Sequence, residues 1–202
     1  MRREASEDAI EDVLAMAHFA VQRGWVPATS GNFSRRIDES RTAITRTGAD
    51  KNSLVPGDVM IVGLNESLPA GVSAETPLHV ARYRRHPAIQ AIMHVHSLNS
   101  TVLSRQFAAS GAVTLRGYEM NKALAGFTTH DCALAIPIFA NSQDTCALAE
   151  EVESSLREET VPGYLIAGHG LYAWGESASQ ACRHAEALDF LLACALEEWR
   201  RR

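Results

Sequence analysis

A chain of 202 residues with 46% hydrophobic and 21% charged side chains is long enough to close one substantial core. Nineteen basic against twenty-four acidic residues leave a formal net charge of −5, which supplies no basic surface for a phosphate backbone and argues against nucleic acid as a partner. No apolar run approaches the roughly 20 residues of a membrane helix, and the N-terminal stretch is charged where a secretory signal is apolar. The four cysteines, Cys132, Cys146, Cys182 and Cys194, form no CxxC pair and read for the most part as buried free thiols. The expectation is a soluble cytoplasmic protein, no membrane contact, and a single domain over residues 1–202.

Ala9, Val13, Met16, Ala17 and Ala20 recur at helical steps from about Ala5 to Arg23, and Gly24 ends the pattern. The run ATSGNFSRRI then reads as a small-residue loop entering a strand, followed by a strand over Thr42 to Thr45, a glycine turn in TGADK and a third strand from Asp58 to Leu64. Thr76 to His86 is a helix whose start is marked by Glu75, Thr76 and Pro77. A strand from Ala91 to His96, a helix from Leu98 to Phe107, a strand near Val113 and a short helix from Glu119 to Ala125 follow. Ala133 to Ile138 reads as a buried strand. Ser142 to Glu158 reads as a helix with a solvated acidic face. Two strands, Tyr164 to Ala167 and Leu171 to Trp174, flank Gly168-His169-Gly170, and a long helix runs from Ser177 to Trp199. Strands in meander-like runs with helices between them predict one three-layer α/β/α domain around a mixed, largely antiparallel sheet.

His94 and His96, two apart in AIMHVHS, share one face of a strand. His169 lies 73 residues beyond His96, between two glycines that permit a tight turn and a close backbone approach. Three imidazoles with no neighbouring thiolate leave an open coordination position, the arrangement of a catalytic rather than a structural zinc.

The segments ATSGNFS, TRTGADK, SAETPLH, IMHVHS and IAGHGLYAWG resemble the class II aldolase/adducin family nearly from end to end. The resemblance implies that His94, His96 and His169 bind a divalent metal, most simply zinc, one per chain. It implies a small sugar phosphate as substrate and a homo-oligomer, commonly a tetramer with sites near subunit interfaces. Ser30, Gly31, Asn32, Thr47 and Gly48 correspond to the family's phosphate cradle, and Lys51 is expected to add charge there.

Within the family, GYEMNKALAG is most similar to a dehydratase of methionine salvage, which nominates Glu119 as the catalytic acid/base. Carboxylates also favour helix N-termini, so Glu119 has a capping role as its simpler reading. Glu75 matches the glutamate that the aldolases keep beside their metal, with Ala74 replacing a serine. It contacts the metal or caps the helix at Thr76, and ranks below Glu119 as a catalytic group. An aldolase or epimerase of the same fold is the alternative activity, and a non-catalytic adducin-like interaction module a more distant one.

Overall fold

The computed structural model describes residues 2–156 and 161–201. Its helices are α1 (Arg2–Gln22), α2 (Thr76–Arg85), α3 (Leu98–Gln106), α4 (Thr145–Ser155) and α5 (Ala178–Arg200). Its strands are β1 (Asn32–Arg36), β2 (Arg41–Thr45), β3 (Val59–Gly63), β4 (Ala91–Val95), β5 (Ala112–Arg116), β6 (Ala133–Phe139), β7 (Gly163–Ile166) and β8 (Gly170–Gly175). The strands form one sheet in the order β3-β2-β1-β4-β8-β7-β6-β5. Among the described residues only β6 and β7 pair in parallel; the other neighbours are antiparallel.

Side-chain alternation along the central strands divides the core in two. Met93 of β4 and Leu171 and Ala173 of β8 point to one face, where they meet Val13 and Met16 of α1, Leu103 of α3, and Leu188 and Leu192 of α5. Ile92 and Tyr172 point to the other, against Leu78 and Tyr83 of α2 and Leu148 and Val152 of α4. Helices therefore cover both faces, and the fold is a three-layer α/β/α arrangement with a mixed, largely antiparallel sheet.

Three local expectations change. β6 is not uniformly buried: Ala133 and Ala135 face outward while Leu134 and Ile136 face inward, because β6 is covered on one side over this stretch. The Glu119 helix is a 3-10 turn over Glu119–Ala123. The acidic face of α4 is not wholly solvated either, since buried Glu153 pairs with Arg82 of α2 at 2.9 Å, and Arg82 in turn lies over the Trp174 ring. The C-terminal end expected for that helix, Glu158, lies outside the described residues. Among the described residues no helix is long and apolar enough to cross a membrane. The four cysteines are free thiols, but contrary to expectation none is fully buried: Cys146 is exposed, and Cys132, Cys182 and Cys194 are half-buried.

Candidate metal centre and active site

β4 and β8 run antiparallel at the centre of the sheet, with His94 opposite Tyr172 and Val95 opposite Leu171. His94 sits within β4, His96 just beyond its end, and His169 in the turn that joins β7 to β8. Their ligand atoms lie within 4.8 Å of one another. His94 Nε2 is 2.8 Å from His96 Nε2 and 3.3 Å from His169 Nε2.

Backbone and side chains fix each ring. His94 Nδ1 donates to the Leu171 carbonyl at 3.2 Å, which leaves Nε2 of the neutral ring as a lone pair facing the other two imidazoles. Tyr172 stacks on His94 with 4.1 Å between centroids, and Tyr164 stacks on Tyr172 at 4.8 Å. The His96 amide donates to Trp25 O, and Ser97 caps α3 directly afterwards by accepting from Ser100 N. Two α3 hydroxyls hold the His169 turn: Thr101 donates to His169 O, and Ser104 accepts from Gly168 N. Gly170 has no alternative, because a Cβ there would come 2.2 Å from Val95 O and 3.2 Å from both His94 Cε1 and His96 Cδ2.

Glu75 completes the cluster from the start of α2. It occupies the N-cap position without capping through its side chain. Instead Oε1, buried and without a hydrogen bond, lies 3.0 Å from His169 Nε2 and 3.4 Å from His94 Nε2. Asn32 Nδ2 donates to Oε2 and to Ser73 Oγ. Burial pushes the Glu75 carboxyl up, but the His94, His169 and His96 imidazoles outweigh it and hold the group below the usual carboxylate range. Burial pushes His94 and His96 down, so both are neutral near pH 7. Three converging imidazole nitrogens beside an orphaned carboxylate oxygen have the donor set of a divalent cation site, and the cluster can hold such an ion.

The remaining sequence candidates divide. Gly31 adopts φ +82° and a Cβ there would meet His94 O at 2.6 Å, so the first loop abuts the cluster through a position that only glycine fits. Ala28 and Thr29 before it also have positive φ, 51° and 62°, a conformation that strains residues with a Cβ. Ser30 Oγ is buried without a partner. Thr47 and Gly48 lie exposed in the turn after β2, the Thr47 amide donating to Gly71 O. Lys51, expected to add charge to the phosphate cradle, is buried with its ammonium donating to Ala49 O and Thr29 O, so it also braces the strained loop.

Glu119 is not brought to the three histidines of its own chain. Its side chain is 71% exposed and pairs with Lys122 at 2.5 Å and His130 at 3.4 Å. It does not cap its turn through a side-chain bond. Sequence reasoning missed the aromatic stack under His94. The alternation in GLYAW, which sets Tyr172 on the side opposite Leu171 and Ala173, was its available signal.

Residues 11–196 match the model of the class II aldolase and adducin N-terminal domain. The methylthioribulose-1-phosphate dehydratase of Parvibaculum lavamentivorans is 54% identical over 192 residues, covering 95% of this chain and 94% of its own. The enzyme of that name from Xanthomonas campestris is 51% identical over 179 residues, covering 87% of this chain and 82% of its own. The L-fuculose-1-phosphate aldolase of Thermus thermophilus superposes over the whole of both chains with a TM-score of 0.75 at 26% identity. Fold, histidine cluster and relatives agree, and the chain belongs to the class II aldolase and adducin family.

Proposed function

We infer that this chain is a methylthioribulose-1-phosphate dehydratase, a carbon–oxygen lyase that removes water from 5-methylthioribulose 1-phosphate to give 2,3-diketo-5-methylthiopentyl 1-phosphate in methionine salvage. The observation that carries the reading is the near-full-length 54% identity to a dehydratase of that name, in a chain whose three histidines and Glu75 converge. The reading includes one catalytic domain over residues 1–202, supported by the single continuous sheet. It includes a cytoplasmic location, supported by the free thiols.

His94, His96 and His169 would hold the divalent metal, zinc in this reading. When bound, it supplies Lewis acidity for the negative charge that develops on the substrate C2 and C3 oxygens. Ser30, Gly31, Asn32, Thr47 and Gly48 bind and orient the phosphate. The unpartnered Ser30 hydroxyl supports that role. Lys51 holds the loop in shape, and Asn32 also fixes the Glu75 carboxylate beside the imidazoles.

A carboxylate takes the C3 proton, and the C4 hydroxyl leaves as water after accepting a proton. The enol so formed then ketonises to the diketone. The resemblance assigns proton transfer to Glu119. In this reading Glu119 acts in the site of a neighbouring copy within a homotetramer, which its exposure and its separation from the triad of its own chain support. Glu75 keeps an ionised carboxylate at the cluster and ranks second as a proton carrier.

The test is product analysis by NMR with metal-loaded protein, offering methylthioribulose 1-phosphate and L-fuculose 1-phosphate separately. Diketone from the first and no cleavage of the second is expected. Carbon–carbon cleavage of fuculose phosphate without dehydration would instead establish the aldolase alternative.

A further inference from the structure

A cavity of about 550 Å³ opens beside His96 and His169, walled by Pro27, Leu98, Thr101, Asn141 and Gln143. The candidate phosphate loops flank β1 and β2 on one side of β4. Most of this cavity is built on the other side, from α3, the β7–β8 turn and the loop after β6. The three imidazoles therefore stand between the two regions. A ligand anchored by a phosphate at C1 in those loops and presenting its C2 and C3 oxygens to the imidazoles would direct its C5 end into the cavity.

The cavity wall has two chemistries. Asn141 and Gln143 supply amides, and the Thr101 hydroxyl is already committed to His169 O. Pro27 and Leu98 are apolar. Leu98 is 68% exposed, more than any other large hydrophobic side chain among the described residues. Solitary exposed leucines are ordinary, but this one is held in the first turn of α3, two residues from His96, with the cap supplied by Ser97 rather than by itself. Its side chain is available to cover an apolar group at the cavity mouth.

We propose that Leu98 is a specificity-determining residue which, with Pro27, forms an apolar subsite for the thioether end of the substrate. This rests on the dehydratase reading above. The subsite distinguishes a terminal CH₃–S–CH₂ group from a terminal hydroxymethyl group by apolar area: the thioether removes its methyl and methylene surface from water against Leu98 and Pro27, whereas a hydroxymethyl group has less apolar surface to bury there.

The experiment compares kcat/KM for methylthioribulose 1-phosphate and ribulose 1-phosphate in the metal-loaded wild type, Leu98→Ser and Leu98→Met. Leu98→Ser is expected to lower kcat/KM for the thioether substrate about tenfold, chiefly through KM, while leaving ribulose 1-phosphate and metal content unchanged. Leu98→Met is expected to keep the wild-type preference. An active wild type whose Leu98→Ser variant retains that preference at normal metal content removes the subsite alone. A metal-loaded wild type that dehydrates neither compound removes the dehydratase reading and the subsite with it.

Discussion

At the scale of single residues, the two glutamates separate the two kinds of information in the chain. Glu119→Gln retains size and hydrogen-bonding capacity but deletes the base, so kcat is expected to fall by about 10²- to 10⁴-fold with metal content near normal. Glu75→Gln is expected to cost less in kcat but to lower metal occupancy, because it removes the negative charge at the imidazoles; both effects are read from turnover and metal content in the same preparations. Gly170→Ala is expected to lose metal as well, since its new Cβ would collide with Val95 O between two of the histidines. The three histidines were legible in the sequence because strand alternation and glycine flanks constrain where an imidazole points. The place of Glu75 was left between two roles, since a carboxylate at a helix start serves equally as a cap or a ligand until the tertiary neighbours are known. Lys51 was legible only in part, for a related reason. Its cation is legible, whereas the carbonyls of Ala49 and Thr29 that occupy it depend on how the loop folds back.

Among the elements, the helices and strands follow the hydrophobic periodicity closely because each is amphipathic or buried in a simple pattern. The long helix read from Ser177 to Trp199 appears as α5 with Ser177 as its cap, where the side chain accepts from Gln180 N. The exception is the contact between α2 and α4. Glu153 reads as one more surface carboxylate, yet Arg82 draws it inward across 71 residues of sequence, a pairing that local pattern cannot reveal. Burial raises the Glu153 pKa despite Arg82, and burial lowers that of Arg82. Removing one partner strands the other, so Glu153→Ala is expected to destabilise the protein by about 3 kcal/mol, and the Arg82→Met/Glu153→Leu pair by less. Urea unfolding of both variants at pH 7 checks this; an exposed ion pair would give the single variant less than about 1 kcal/mol.

For the whole molecule, acid sensitivity follows from histidines buried in the neutral form. His79, fully buried with Nδ1 at 2.7 Å from Ser34 Oγ, is pushed down to about 4 by burial. The unfolded chain protonates this histidine near pH 6.5 while the folded one does not, so stability is lost as pH falls from about 6.5 to 4, at about 1.4 kcal/mol per pH unit for each such group. His79→Gln is expected to flatten this limb in urea unfolding of the metal-free protein. At the level of assembly, mixing inactive Glu119→Gln with inactive His94→Ala chains under conditions of subunit exchange is expected to restore part of the turnover, because some sites then combine an intact triad with a neighbour's Glu119. A site contained in one chain would regain none. The central claim, that three imidazoles hold the catalytic metal, is tested most directly by metal analysis and turnover of wild type and His96→Ala purified side by side. About one divalent ion per wild-type chain, with metal and activity both lost in the variant, is the expected result; a His96→Ala protein that keeps its full metal and full activity would contradict it.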